Sequence, residues 1–218
     1  MADTKPKNEI FYVEGRLINH ALFERDAYQK DEKSAPGKPM YKVELACDEA
    51  AVMGEGTIED KLADAVEAKW GATHAQGWLN GDRGYWSPLL SGDTMAAERA
   101  AKGKEGDAYK SKVVIRANTS FNKEGKEDVG GIAVYDADTS AIGFAEKSKV
   151  YNGCHGIAAV TISAFEAANK DKGVKFYLVA FQKTADGEPL TTASDKSTLF
   201  KPVGNVTPIT EGRRRRGG

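Results

Sequence analysis

The feature that most restricts this chain is a period of two: apolar and polar residues alternate in one stretch after another, as in strands with one buried face. In residues 9–19, EIFYVEGRLIN, the alternation puts Phe11, Val13, Gly15 and Leu17 on one side and Tyr12, Glu14, Arg16 and Ile18 on the other. A turn-rich insert, KDEKSAPGKP, leads to MYKVELAC at 40–47, where Tyr41, Val43, Leu45 and Cys47 face inward and Lys42 and Glu44 outward. These two segments predict an antiparallel hairpin. Further strands are predicted at 112–119, at 131–135, along a run from 149 to 165, and at 173–183 before the turn residues of ADGEP.

One segment changes period. Thr57, followed by Asp60 and by Ile58, Leu62, Ala65, Val66 and Trp70 at helical spacing, predicts a capped amphipathic helix that stops at Gly71. From 71 to 110 there is no clear period, and GWLNGDRGYWSPLLSGD reads as a long structured excursion with a second, alanine-rich helix at 94–102. The pattern predicts a mainly β fold with one or two helices and long inserted loops. A Greek-key β-barrel such as the OB-fold satisfies it, and so does an α+β sheet domain.

Composition excludes some classes. With 218 residues, 40% hydrophobic and 29% charged, the chain can bury one substantial core, and no run of about 18 uncharged apolar residues predicts a membrane span. The N-terminus shows no apolar core of a signal peptide, so a soluble intracellular protein is expected. Cys47 and Cys154, distant and each within an apolar run, predict reduced core residues rather than a disulfide or zinc site.

The formal charge is −1, so no overall field attracts a polyanion, and distribution matters instead. Residues 44–67 carry Glu44, Asp48, Glu49, Glu55, Glu59, Asp60, Asp64 and Glu67 against Lys61 alone. Residues 109–123 carry Lys110, Lys112, Arg116 and Lys123 without an acid, together with Tyr109 and Phe121. The second segment points toward nucleic acid, although a solvated strand face would look the same.

Signatures for catalysis are absent: there is no GxxxxGK[ST], GxGxxG, HExxH or GxSxG. Cys154 and His155 are strand neighbours and point to opposite faces, which separates thiol from imidazole. Asp136 and Asp138 could share a face, as metal-binding acids do, but a polar turn accounts for them more simply. No cofactor is expected.

Binding of single strands requires cations for phosphates and aromatic faces for bases. Lys112 and Arg116 share a strand face about 13 Å apart, while Val113, Ile115 and Ala117 point inward. Tyr12 with Arg16 repeats the arrangement, as do Lys149, Tyr151 and His155 on the long run and Lys175, Tyr177 and Phe181 on the last arm. The phosphate-contacting set is therefore Arg16, Lys112, Arg116, Lys149 and Lys175, and the stacking set is Tyr12, Phe121, Tyr151 and Tyr177. Trp78, Arg83, Tyr85 and Trp86 of the excursion form a second tier.

The run KVYNGCHGIAAVTISAFEAANKDKGVKFYLVAFQKTADGEPL resembles the C-terminal half of a tailed-phage single-stranded DNA-binding protein family. Tyr151, Gly153, Cys154, Gly173, Val174, Asp186, Gly187, Glu188, Pro189 and Leu190 carry the likeness, and GRLINHALFERDAY, KPMYKVELACD and the helix to Trp70 agree upstream in order and spacing. The resemblance implies an elaborated OB-fold over 9–190, between a flexible N-terminus at 1–8 and a flexible basic tail at 191–218. It further implies a non-catalytic protein that coats single-stranded DNA without sequence preference in phage replication or recombination, in the cytoplasm of the infected bacterial host. Expected partners are single-stranded DNA and replication or recombination proteins, with no membrane, and a homodimer is compatible. A strand-annealing recombination accessory protein is the nearest alternative, and a small metal-dependent nuclease using Asp136 and Asp138 is a more distant one.

Many phage and bacterial single-stranded DNA-binding proteins end in an acidic tail, whereas this chain carries Arg213, Arg214, Arg215 and Arg216. If these arginines contact phosphates, deleting residues 211–218 weakens binding of poly(dT) at low salt and flattens its salt dependence. Equal or tighter binding by the truncated chain at low salt contradicts that contact.

Overall fold

The computed structural model describes residues 9–27, 37–119 and 132–190. The expected flexible ends at 1–8 and 191–218, the arginines at 213–216 and the candidate Phe121 lie outside the described residues. Strand β1 (Phe11–Asp26) is followed by β2 (Met40–Cys47) and by helices α1 (Glu49–Val52), α2 (Ile58–Trp70) and α3 (Ala72–Leu79). Two short strands, β3 (Tyr85–Trp86) and β4 (Leu89–Ser91), precede α4 (Gly92–Ala101). Then come β5 (Val113–Thr119), β6 (Ala133–Tyr135), β7 (His155–Glu166) and β8 (Lys172–Ala185).

β1 pairs antiparallel with both β2 and β7, β2 with β5, and β7 with β8. A parallel contact between β5 and β8, Ala117 opposite Phe176 and Asn118 opposite Tyr177, closes the ring in the order β1-β2-β5-β8-β7. This is the five-stranded Greek-key barrel of an OB-fold. Inside it lie Val13, Leu17, Val43, Leu45, Ile115, Ala117, Val160, Phe176 and Phe181, all buried, with Cys47 and Cys154 among them as free thiols. Burial first, and then the carboxylates of Asp48 and Glu14, push the Cys47 thiol up to about 12.

β2 has the bounds its alternation predicts, and α2 begins directly after Thr57. The Thr57 hydroxyl, however, donates backward to the Val52 and Gly54 carbonyls, while Glu59 and Asp60 accept the Gly54 and Gly56 N–H groups. The alanine-rich helix expected at 94–102 forms as α4, while α1 and α3 are unexpected and bring the α-helices among the described residues beyond one or two. Tyr109, with Ala96 of α4, packs over Ile18, Ala46 and Val114 on the outside of the barrel. Ile18 faces outward as its position suggests, yet this cover buries it.

Two of the irregularities among the described residues change where candidate residues point. The run predicted as one strand from 149 to 165 starts only at His155, because residues 144–149 form a 310 turn and Gly153 takes a positive φ of 118°. In β8, Val160 faces Leu178 and Ala159 faces Ala180, so Val179 is an extra residue that reverses the facing of the rest of the strand. Phe181 is therefore turned inside at 0% exposure, instead of joining Tyr177 outside.

At the end of the barrel the segment after β8 is strapped down. Gly153 N–H donates to the Leu17 carbonyl at 2.7 Å, Leu17 N–H to Cys154 at 2.8 Å and Leu190 N–H to Asn152 at 2.7 Å. A Cβ on Gly153 would lie 2.1 Å from the Glu188 carbonyl oxygen, and one on Gly187 would lie 2.2 Å from that of Gly153. Gly153→Ala combines that collision with the cost of a positive φ, so it should destabilise the protein by about 2 kcal/mol or more. An unchanged urea midpoint would contradict the strap.

Candidate nucleic-acid interface

Outward positions of β8 before its bulge are Gly173, Lys175 and Tyr177, because Val174, Phe176 and Leu178 are buried. Their spacing is about 7 Å along the strand. Across β7 they face Phe165, Ser163 and Thr161. On the other side Asn118 adjoins Tyr177, and carrying the parallel register back one residue pair sets Arg116 beside Lys175. Lys42 and Glu44 of β2 oppose Asn118 and Arg116 and complete the rows.

The far end of this surface is aromatic. Trp86 pairs with Gly173, and a Cβ on Gly173 would lie 2.8 Å from the Trp86 Cβ and 2.9 Å from the Phe165 ring, so glycine makes room for both. Trp86 is 57% exposed. Lys175 Nζ lies 4.4 Å from the Tyr177 ring centroid and 5.6 Å from that of Phe165. A cation held over aromatic faces beside open indole and phenol rings offers both phosphate attraction and stacking area.

The folded chain thus brings Arg116, Lys175, Tyr177 and second-tier Trp86 onto one outer face. Arg116 points outward as expected between buried Ile115 and Ala117, with its Nε donating to Glu44 Oε1 at 2.7 Å and its side chain 48% exposed. Sequence reasoning passed over Phe165, placed only as the end of the long strand run, and Asn118; counting residues from buried Val160 sets Phe165 outside.

Other candidates go elsewhere. Tyr12 is exposed on β1 opposite Ala159, beyond β7 from Tyr177. Lys112 precedes β5 and binds Asp48 and Lys110 binds Asp107, so the stretch without acids in sequence meets acids in space, and Lys149 binds Glu146 at 2.6 Å. Lys149 and Tyr151 share no strand face with His155, since both precede β7. Trp78 is buried, donating its indole N–H to the Trp86 carbonyl. Tyr85 is half-buried with its hydroxyl 2.6 Å from His74 Nδ1, and Arg83 lies in the turn before β3.

Arg16 and Tyr151 belong to the strap. Arg16 donates from Nη2 to the Glu188 carbonyl at 2.7 Å and from Nε to Gly153. The Tyr151 hydroxyl donates to Asp186 Oδ1 at 2.9 Å and accepts from the Gly187 N–H, while Lys183 Nζ reaches the same carboxylate oxygen at 2.6 Å. Asp136 and Asp138 accept N–H groups of Ala137 and Ser140 within their own turn. Among the described residues there is no group of three His, Cys, Asp or Glu able to hold a metal ion, and no helix is long and apolar enough to cross a membrane.

A closed five-stranded barrel in this strand order is an OB-fold. The chain belongs to the family described as Enterobacter phage Enc34, ssDNA-binding protein, whose model matches residues 13–207. The fold is shared with the single-stranded DNA-binding protein from bacteriophage Enc34 in complex with ssDNA, at 15% identity and a TM-score of 0.53 over 83% of this chain and 89% of that one. It is shared as well with gp2.5, a single-stranded DNA binding protein encoded by bacteriophage T7, at 11% identity and a TM-score of 0.53 over 92% of this chain and 100% of that one. No curated protein sequence matches the chain.

The strap has a pH signature. Hydrogen bonds from Lys183 and Tyr151 hold the Asp186 carboxyl below its ordinary 3.8, so its contribution is present above 3.8 and fades as pH falls through the lowered folded value. Lys183 is raised above 10.5 by Asp186, so its contribution is present below 10.5 and fades as pH rises through the raised value. The stability gap between the natural protein and Asp186→Asn should be flat between these limits and close beyond both, as read from urea midpoints. A gap unchanged at strongly acidic pH would contradict the assignment.

Proposed function

We propose that this protein coats single-stranded DNA through the outer face of β5 and β8, as a non-catalytic binder without sequence preference. The observation that carries the reading is the convergence of Arg116, Lys175, Tyr177, Phe165 and Trp86 on one surface of an OB barrel. In OB-folds the face of the second and third barrel strands, with the loops joining strands one to two and four to five, takes oligonucleotides. Here those strands are β2 and β5, and the second loop is 167–171 beside Trp86.

Unpaired bases stack on Tyr177, Phe165 and Trp86, each stack contributing about 1–3 kcal/mol whatever the base, since every base has a π-face. Duplex DNA hides those faces, which favours single strands. Lys175 lacks a carboxylate partner among the described residues, so a phosphate meets it without displacing an ion pair. Arg116 engages Glu44 through Nε alone in this pair, leaving the exposed end of its guanidinium for a second phosphate. A molecule that works by coating needs no metal or cofactor, and the family supports action in phage replication or recombination, in the host cytoplasm, with replication or recombination proteins as further partners.

Titration of poly(dT) against tryptophan fluorescence at several salt concentrations tests this. Tyr177→Ala should cost about 1–3 kcal/mol for every base composition. Lys175→Ala should reduce the slope of log affinity against log salt by about 0.7. Natural affinity and slope in both folded variants would move the interface to another face of the barrel.

A further inference from the structure

We propose that Asp171, an acid at the margin of a surface otherwise suited to a polyanion, is a positioning residue that holds the Trp86 indole upright as the end wall for a stacked base. This rests on the reading of the β5–β8 face as the DNA interface. A carboxylate beside phosphates repels them, so electrostatics alone gives Asp171 no use there. Its contacts do. One oxygen, Oδ2, accepts both the Trp86 Nε1–H at 3.1 Å and the Asn169 amide at 2.7 Å. The Asp171 N–H donates back to Asn169 Oδ1 at 3.3 Å, so the two residues brace each other within the tight β7–β8 turn.

Trp86 is thereby held at both ends. Trp78 bonds its carbonyl at 3.1 Å, Asp171 bonds its indole N–H, and the missing side chain of Gly173 lets its Cβ seat against β8. An exposed tryptophan would otherwise lose rotamer freedom each time a base stacked on it, and fixing it beforehand removes that cost from binding. Since Oδ2 alone carries both bonds, asparagine can supply the same acceptor without the charge.

The two roles of Asp171 predict opposite signs. With the full chain and poly(dT) at fixed low salt, Asp171→Ala should bind about 5- to 10-fold more weakly, at the low end of the cost of one lost stack, although it removes a negative charge. Asp171→Asn should bind at least as tightly as the natural protein. In a Trp86→Ala background, Asp171→Ala should cause no further loss. If Asp171→Ala binds as tightly as Asp171→Asn while Trp86→Ala is weakened, the positioning role is overturned and the interface stands. If Trp86→Ala keeps full affinity, the wall and the proposal are both wrong, and if Lys175→Ala and Tyr177→Ala also keep it, the interface itself is misplaced. Asn169→Ala leaves the carboxylate but removes its brace, and undiminished affinity in that variant would likewise count against the device.

Discussion

The short parallel contact between β5 and β8 is the constraint on which the rest depends. Two residue pairs, Ala117 with Phe176 and Asn118 with Tyr177, turn a curved sheet into a closed barrel. The inward pair, both at 0% exposure, seals the core, and the outward pair starts the candidate interface. Because side chains alternate, one register sets both faces: a slip of one residue would expose Phe176 and bury Tyr177. Core closure and the joining of Arg116 to Lys175 are thus one event, between segments more than fifty residues apart in sequence.

The residues by which the chain resembles its family have another task. Tyr151, Gly153, Asp186, Gly187, Glu188 and Leu190 form the strap that fastens the end of β8 across the barrel, with Arg16 clamped onto two of its carbonyls. Glycine is required twice there because backbone passes at contact distance. In this chain those residues fasten the barrel, while the surface proposed to hold DNA is built mostly from other residues.

Much of the fold was legible because alternation reports facing directly. The bounds of β2, the start of α2 and the outward direction of Arg116 follow from it, and the facing of Lys175 and Tyr177 agrees. Legibility failed where a single residue changed the phase. Val179 sends Phe181 inside, and Gly153 breaks the run that seemed to align Lys149 and Tyr151 with His155. Charge was misread for a different reason: Lys112 and Arg116 have no acidic neighbours in sequence, yet Asp48 and Glu44 reach them across the β2–β5 pairing. Trp78 and Trp86 look alike in a glycine-rich stretch, and α3 separates them by taking the first into the core.

The central claim is a location, so the most direct measurement is one of location. Ultraviolet cross-linking of a bromouracil-substituted single strand to the full chain, followed by peptide mass spectrometry, reads it without any substitution. The account predicts adducts at Trp86, Phe165 and Tyr177, lost together as salt is raised. Adducts confined to Tyr12, Tyr135 or Tyr151, with those three rings unmodified, would contradict it.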